Sequence, residues 1–230
     1  MAARLILALC ALAPCASALA GCGSAPAAGN PPAAALDGAP AAQPATATAA
    51  GRTFTVDRAA NRVRVEGGGA LRTALEPASI TSAAGGSQVA VLSARGRVLE
   101  LFDARTLERV GRADAGSGPV QVASNGASYL YVTDAIGGSV LVFSSRPELH
   151  LVRRYGLEGE PWAIAHDVRR RRLWVTLAGA DRLVEMTTGR RIRKLRDYPA
   201  AADPTSVDVQ YPTVTTSGRS GVRHLVPRTR

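Results

Sequence analysis

Three carboxylates stand directly before prolines that recur along the chain at nearly equal distances. The residue pairs are, in chain order, Glu76-Pro77, Gly118-Pro119, Glu160-Pro161 and Asp203-Pro204. The prolines are separated by 42, 42 and 43 residues. Carboxylates at equivalent positions repel one another unless a cation, an arginine or water compensates, and oxygen-rich sites suit Ca²⁺ or Mg²⁺. An acid before a proline is also an ordinary solvated turn residue, so both interpretations stay open.

Histidines are the remaining candidates for chemistry, at His150, His166 and His224. None of them lies in a metal-ligand spacing such as HxxxH or HExxH. The pair His166-Asp167 invites an acid–base interpretation, but the corresponding pair Ser124-Asn125 indicates a turn position where Asp or Asn caps the backbone. GxSxG elbows, P-loops and GxGxxG fingerprints are absent from the sequence. The chain therefore contains no motif for covalent or phosphoryl chemistry.

The recurring prolines begin a repeat that must position these residues. The third residue after each proline is β-branched, as a short strand would present it: Ile80, Val122, Ile164 and Val207. Apolar runs then alternate with turn-like breaks, which gives four short strands and four turns in each repeat. A period in the low forties with four strands is typical of a β-propeller blade, and one such sheet cannot bury both of its faces unless blades stack around an axis. The sequence therefore predicts an all-β fold, a β-propeller.

Three blades are clear in the sequence, over residues 77–203, and two are partial. Residues 54–69 match the second and third strands of a blade, so its first strand would have to come from the alanine-rich segment before it. Residues 214–225 match the middle of a blade, with no clear fourth strand after them. Three arrangements stay open: a small closed propeller, an open fragment, or self-association through the incomplete end blades.

The sequence Tyr131-Val132-Thr133-Asp134 resembles the YVTN motif of the surface-associated β-propeller repeats. The stretch Val98 to Val110 and the following Gly116-Ser117-Gly118-Pro119 are similar to that family's third strand, aspartate turn, fourth strand and closing turn. The resemblance implies a binding or display scaffold for a protein, an envelope polymer or a small ligand. The alternative is a hydrolase similar to the lactonase-like propellers, which would cleave a small ester around a divalent cation.

In a propeller, the connection from the fourth strand of one blade to the first strand of the next opens at one rim of the central channel. Glu76, Glu160 and Asp203 are therefore predicted to form a ring that could bind a ligand or a metal such as Ca²⁺. Asp134 and Asp181, between second and third strands, are expected on the same rim, with Trp162 just inside it as an apolar wall. Convergence of these carboxylates on the channel mouth would favour the hydrolase.

The N-terminal residues predict export. One basic residue, Arg4, precedes an apolar run that is too short to span a membrane, which is typical of a signal peptide over residues 1–21. Leu19-Ala20-Gly21-Cys22 resembles the bacterial lipobox, so Cys22 is expected to be the lipidated first residue of the mature chain, on the outer side of the bacterial cytoplasmic membrane or in the periplasm. An ordinary signal peptide that contains a cysteine is the alternative.

A flexible tether is predicted over residues 22–50, where residues 23–50 contain 13 alanines, five prolines and a single charge. The propeller domain is then expected over residues 51–230. All three cysteines of the chain, Cys10, Cys15 and Cys22, precede that domain, so it has no disulfide and no cysteine metal site.

The chain is basic, with a formal net charge of +10, and 16 of its 28 Lys and Arg residues lie in residues 151–230. Four of them form the run Arg169 to Arg172, which the repeat places in a solvent-exposed turn between a first and a second strand. The run is one turn long and Trp174 is expected to face a strand core, so a nucleic-acid site is not predicted. Contact with an anionic envelope polymer or with lipid headgroups through the C-terminal half is expected instead.

Overall fold

The computed structural model describes residues 45–227, and their regular structure consists of five separate antiparallel sheets. The sheets follow one another along the chain, and within each sheet the strands lie in chain order. Each sheet is one blade of a β-propeller. The predicted fold class is therefore confirmed, and the three clear blades of the sequence are the second, third and fourth.

The first four blades have four strands each. Blade 1 comprises β1 (Thr46–Ala49), β2 (Arg52–Asp57), β3 (Arg62–Val65) and β4 (Ala70–Arg72). Blade 2 comprises β5 (Pro77–Ala83), β6 (Gln88–Ser93), β7 (Val98–Asp103) and β8 (Arg109–Asp114). Blade 3 comprises β9 (Pro119–Ser124), β10 (Tyr129–Asp134), β11 (Ser139–Ser144) and β12 (His150–Gly156). Blade 4 comprises β13 (Pro161–Asp167), β14 (Arg172–Leu177), β15 (Arg182–Thr187) and β16 (Lys194–Pro199).

Blade 5 has three strands within the described residues: β17 (Pro204–Gln210), β18 (Thr213–Gly218) and β19 (Gly221–Leu225). The only helical segments in that part of the chain are two single 3₁₀ turns, Ala84–Gly86 and Ala178–Ala180. No described helix is long and apolar enough to cross a membrane.

The first strand of each blade lies at the centre of the arc, and neighbouring blades pack face to face. Apolar side chains between blades 2 and 3, and between blades 3 and 4, form the two largest buried clusters. Smaller clusters join blade 1 to blade 2 and blade 4 to blade 5. Because the sheets of blades 2 to 4 are covered on both sides, their second and third strands are apolar almost throughout, as in Val89 to Leu92.

The two end blades each keep one polar face. On blade 1, side chains such as Thr46, Thr48 and Arg64 are exposed, whereas Phe54 and Val63 on the other face are fully buried against blade 2. Within the described residues β17 does not pack along β1 as neighbouring inner strands pack along each other. The described residues therefore form an open arc of five blades. Association with another copy stays a prediction.

The folded part starts earlier than the predicted boundary at Gly51. β1 lies inside the segment that was expected to be tether, and it pairs with β2 from Thr46 to Ala49. The Thr-Ala alternation has the period of a strand, so the threonines face solvent while Ala47 and Ala49 pack under the side chains of blade 1. As the sequence required, the first strand of this blade comes from the alanine-rich segment, but its bounds were not predicted, because alanine has little preference for strands. The rest of the predicted tether, and Cys22 with it, lies outside the described residues.

The connections alternate between two ends of the blades. The proline rim carries the connections that precede the register prolines (residues 73–76, 115–118, 157–160 and 200–203) and those between second and third strands. The opposite rim carries the turns between first and second strands and the connections between third and fourth strands. Backbone hydrogen bonds join neighbouring connections within each rim, such as Ala94 N to Glu76 O (3.0 Å) on the first and Ala84 N to Ala127 O (3.0 Å) on the second.

Candidate functional site

The predicted acidic residues before the prolines lie on the proline rim, where their backbone closes the blades. Glu76, Glu160 and Asp203 all have positive φ angles, of 59°, 59° and 49°. The carbonyl of Glu160 accepts a hydrogen bond from the N–H of Ala178 (3.0 Å), and that of Glu76 is bound in the same way. A left-handed residue here turns the chain from the outer strand of one blade to the inner strand of the next. Their position is thus set by backbone geometry.

Asp134 also lies on the proline rim, but its carboxylate is fully buried and has internal partners. It accepts hydrogen bonds from the backbone N–H groups of Ser117 (3.1 Å), Gly118 (2.7 Å) and Gly137 (2.9 Å), and it pairs with Arg154 (3.3 Å). Buried carboxylates need such partners, since an unpaired one would be strongly disfavoured. This geometry explains the aspartate of the YVTD motif as the residue that holds the connection between blades 2 and 3.

Asp181 lies next to one member of the predicted ring. It is exposed, adopts the left-handed conformation with φ 53°, and its Oδ1 accepts the N–H of Asp203 at 2.6 Å. The expectation that Asp181 and the residues before the prolines share a rim is confirmed. The contact uses backbone rather than two carboxylates, so it makes a turn and not a metal site.

No metal centre is assembled from these residues. Across residues 45–227 there is no group of three or more His, Cys, Asp or Glu side chains close enough to hold a metal ion. Glu76, Glu160 and Asp203 precede the first strands of blades 2, 4 and 5. The equivalent position before blade 3 is Gly118, which has no carboxylate. The geometry therefore spreads the acids along the rim instead of converging them.

Trp162 is half-buried between blades 3 and 4 and packs against Val120 and Ala135. Its carbonyl accepts a hydrogen bond from Thr133 Oγ1 (2.6 Å). Its role as an apolar wall of the channel mouth stays a prediction. Because the indole packs between blades, only its exposed part could contact a ligand.

A concave feature that could hold a ligand lies at the centre of the arc. It is a cavity of about 680 Å³ that opens toward the opposite rim, lined by the inner strands β5, β9, β13 and β17 and by the turns that follow them. None of the six residues predicted as ligand-binding from the sequence lines it. The cavity therefore occupies the other end of the channel from the predicted ring.

Apolar surface of the inner strands, uncharged polar side chains and one acid, Asp208, line the cavity. Side chains of one inner strand accept N–H groups of the next: Ser79 Oγ from Val122 (3.2 Å) and Gln121 Oε1 from Ile164 (3.2 Å). Both bonds join residues 43 positions apart in the chain, one repeat. Gln121 lies directly at the cavity, as do Ser82 and Ser206 on neighbouring strands. The site can offer hydroxyl, amide and backbone groups to a ligand.

His166 contributes the only histidine of the cavity wall. Burial lowers the pKa of its imidazole, and the nearby Asp167 carboxylate opposes this effect only in part. The ring is therefore neutral at physiological pH and can both donate and accept a hydrogen bond. The predicted cap is confirmed for Asp167, whose Oδ1 accepts the N–H of Arg170 (2.9 Å), whereas His166 itself lies in the inner strand β13 and lines the cavity.

The arginine run Arg169 to Arg172 lies at the turn between β13 and β14, as predicted, but it is not uniformly solvated. The side chain of Arg170 is 9% exposed and binds the Asp167 carboxylate at 2.7 Å and the Pro212 carbonyl at 2.6 Å. Its guanidinium also lies 4.5 Å from the centre of the Tyr211 ring. Arg170 therefore fixes blade 4 to blade 5, and this role depends on residues about 42 positions away.

Asp167, the partner of Arg170, is almost fully buried. Although burial alone would raise the pKa of Asp167, hydrogen bonds from the backbone N–H and the guanidinium of Arg170 more than offset it, so the pKa lies below its usual value. The carboxylate stays ionised and keeps the turn closed.

The cavity residues were missed in the sequence although a signal for them exists. The second residue after each register proline is Ser79, Gln121, Ala163 or Ser206. Three of these four are polar in strands that are otherwise apolar, and polar residues at one register position of an inner strand indicate the channel. Only the three-dimensional arc shows that they lie side by side.

No protein-family model matches the sequence, and no curated protein matches it either. Among solved structures, one chain of a mitotic checkpoint complex is similar with a TM-score of 0.69 at 12% identity, covering 78% of this chain and 60% of that one. Dihydro-heme d1 dehydrogenase NirN in complex with DHE is similar with a TM-score of 0.67 at 17% identity, covering 76% and 41%. A putative 6-phosphogluconolactonase from Bacteroides fragilis gives 0.57 at 12% identity, covering 69% and 55%.

The chain spans between 41% and 60% of the length of these three proteins. Identities of 12 to 17% carry information about the fold and none about ligands or activity. The resemblance to YVTN-type repeats stays a prediction from the sequence. The comparisons and the architecture agree on one conclusion: the chain has a β-propeller fold.

Proposed function

We propose that this protein is an exported, lipid-anchored β-propeller that serves as a binding scaffold, and that its ligand occupies the cavity between the inner strands. The observation that carries this proposal is the cavity of about 680 Å³. Its volume falls in the range of small-molecule sites, roughly 300–1,000 Å³. Four blades contribute to its wall, so a ligand there would contact all of them at once.

The wall chemistry favours a polar ligand that carries no negative charge, because the one acid of the lining is Asp208 on β17. Hydroxyl and amide groups of Ser82, Gln121 and Ser206 alternate with apolar surface, and the imidazole of His166 is neutral at physiological pH. A small polar molecule, or a loop of a partner protein in the cell envelope, would satisfy these groups. The hydrolase alternative needs carboxylates that converge on the channel mouth, and the described residues contain no group of three or more His, Cys, Asp or Glu side chains that could hold a metal ion.

The test of the cavity is a screen of small carbohydrates and short peptides against the purified protein, followed by NMR. Bound fragments should shift the amide signals of Ser82, Gln121 and Ala165, and the substitution His166→Trp should abolish these shifts by filling the cavity. Fragments that instead shift signals of Glu76, Glu160 and Asp203, and only when Ca²⁺ is added, would support the hydrolase.

Export and anchoring rest on the N-terminal sequence, with Cys22 as the lipidated residue and the membrane as the partner of its acyl chains. Two or three buried acyl chains anchor a protein firmly, since each methylene contributes about 0.8 kcal/mol. Mass spectrometry of the mature protein should find a diacylated Cys22 at its N-terminus. The variant Cys22→Ser should leave the membrane fraction, and a wild-type protein with any other N-terminus would contradict the proposal.

A further inference from the structure

Five exposed arginines gather at one corner of blade 4 on the opposite rim. Arg169 and Arg171 belong to the turn between β13 and β14, and Arg190, Arg191 and Arg193 belong to the connection between β15 and β16. The two segments are joined by a hydrogen bond from Thr188 Oγ1 to the Arg171 carbonyl (3.5 Å). These five residues are called the arginine corner below.

The connection that carries three of them has a fixed backbone. The N–H of Gly189 donates to the hydroxyl of Tyr131 on blade 3 (2.6 Å), and Ile192 is 1% exposed in the cluster between blades 3 and 4. Thr187 closes the turn, since its N–H and its Oγ1 both bind the backbone of Arg193 (2.9 Å each). A ligand would therefore meet guanidinium groups on a preorganised backbone, which reduces the entropy lost on binding.

Burial raises the pKa of Tyr131 to about 12, so its hydroxyl is neutral and keeps holding Gly189 over the physiological pH range. Tyr131 is the first residue of the YVTD sequence in blade 3. A residue of the repeat motif thus supports the arginine-bearing connection of the next blade.

The charges of the arginine corner are not neutralised within the described residues. None of the five side chains forms an ion pair there, whereas Arg172 on the same blade and Arg154 on blade 3 each pair with a buried acid. No Asp or Glu occurs between residues 186 and 196. Asp197, which follows, is engaged by Arg182 (3.4 Å) and Lys194 (3.0 Å). Like charges held this close repel one another, and an anion would relieve that repulsion.

We propose that the arginine corner binds a linear polyanion that carries closely spaced phosphate groups. Guanidinium groups bind phosphate through two parallel hydrogen bonds, which makes arginine better suited to it than lysine. The five side chains are exposed and spread over two segments, so they match several anionic groups in a row rather than one enclosed ion. Binding would release counterions and depend strongly on salt.

A lipid surface also presents phosphate groups, so anionic vesicles are included as a competitor in the test below. The spread of the five side chains over two segments is what favours a linear polymer.

Nucleic acid is less suitable than a simple polyphosphate. Sequence-independent binding of single strands uses several exposed aromatic rings on which successive bases stack. The corner has one such ring, Tyr211, which is 48% exposed and is already contacted by the guanidinium groups of Arg169 and Arg170, at 5.0 Å and 4.5 Å from its centre. The corner therefore offers five charges but no row of stacking surfaces.

The test titrates the purified full-length protein into fluorescently labelled inorganic polyphosphate at several NaCl concentrations and follows the anisotropy. The triple variant Arg190→Gln, Arg191→Gln and Arg193→Gln should bind at least tenfold more weakly. The number of counterions released on binding, measured from the slope of log Kd against log[NaCl], should fall by about two to three, one for each lost phosphate contact. The matched control removes the same charge from three exposed arginines of the proline rim, Arg95, Arg97 and Arg219, and should bind like the wild type.

Equal weakening in both triple variants would overturn the proposal in favour of general charge attraction, and unchanged binding in the first variant would overturn it outright.

Competition experiments at equal phosphate concentration distinguish the source of the phosphate groups. Monomeric phosphate should not compete. Phosphatidylglycerol vesicles or oligo(dT) that compete better than polyphosphate would replace the polymer with a lipid surface or a nucleic acid. Thermal melts of both variants confirm that they are folded, and the result does not depend on whether the cavity binds a ligand.

Discussion

The proline rim and the opposite rim of this propeller use charged residues differently. On the proline rim, the Asp134 carboxylate is buried and accepts three backbone N–H groups as well as the Arg154 guanidinium. On the opposite rim, the five guanidinium groups of the arginine corner are exposed and have no acidic partner among the described residues. The charge of Asp134 therefore builds the fold, whereas the charges of the arginine corner are free to meet a partner.

The same contrast occurs within one turn. Arg170 is buried on Asp167 and Tyr211, while its neighbours Arg169 and Arg171 are exposed. A run of identical residues therefore does not have one role. Whether an arginine is structural or available depends on what the next blade places opposite it, and four experiments can break or sharpen this distinction.

The largest effect is expected at Asp134. Replacing it with alanine leaves three buried N–H groups and Arg154 without their acceptor, which should lower the free energy of unfolding by about 4 kcal/mol. Asp134→Asn keeps one oxygen that accepts the N–H groups of Gly118 and Gly137, so it should lower the free energy of unfolding by only about 1 kcal/mol. Urea unfolding measures both variants. Equal stability of Asp134→Ala and wild type would mean that this carboxylate is not structural.

A smaller effect is expected at Arg170. Arg170→Ala leaves the buried Asp167 carboxylate without its cation and should lower the free energy of unfolding by about 3 kcal/mol. Arg171→Ala, at the next and exposed position, should change it by less than about 0.5 kcal/mol. Urea unfolding of the pair tests the division of the arginine run. Similar values for the two would show that the run acts as one solvated turn, as the sequence suggested.

Gly137 should show how tightly Asp134 is enclosed. A Cβ at Gly137 would collide with the Asp134 carboxylate, so Gly137→Ala should lower the free energy of unfolding by about 2 kcal/mol. Gly156 is the matched control, because a Cβ there meets no atom within 4 Å and its φ is not positive. Gly156→Ala should be neutral or slightly stabilising. Thermal melts compare the two, and a neutral Gly137→Ala would show that the connection can move away from Asp134.

The smallest effect concerns pH and His166. Because burial lowers its pKa in the folded state, the unfolded chain takes up the proton first as the pH falls through about 6.5. The contribution of neutral His166 to stability is therefore complete above pH 6.5 and is lost as the pH falls toward the folded pKa. Melting temperatures measured from pH 7.5 to 5.5 should fall less for His166→Gln than for the wild type. Parallel curves would show that His166 is solvated in both states.

The repeat made the fold predictable. Proline spacing, β-branched residues and turn signals are local features, and each blade satisfies them within about 42 residues, so three blades could be placed from the sequence. The sequence required β1 to come from the alanine-rich segment but did not give its bounds, because the Thr-Ala pattern carries little hydrophobic signal and becomes a strand by pairing with β2. The shared rim of Asp181 and Asp203 was also predictable, since strand order alone decides which connections meet.

The cavity was not predictable in the same way. Gln121 and Ile164 are 43 residues apart, and Tyr131 and Gly189 are 58 apart, yet each pair is joined by a hydrogen bond. The angle and distance between blades decide such contacts, and no local pattern encodes them. The predicted ring of Glu76, Glu160 and Asp203 was correctly placed on one rim, but its members stay separate because each belongs to a different blade.

By itself, the sequence determined the length of the repeat, the strands of the three clear blades and the rim on which each connection lies. These follow from the residues that favour turns and from the pattern of residues that must be buried along each strand. Tertiary structure decided which charges have partners. The Asp134 carboxylate can be enclosed because Gly116 and Gly137 have no side chains, and a Cβ at either position would collide with it. Arg170 is buried because blade 5 brings Tyr211 against it. Burial makes an unpaired charge costly, and burial arises only when blades pack.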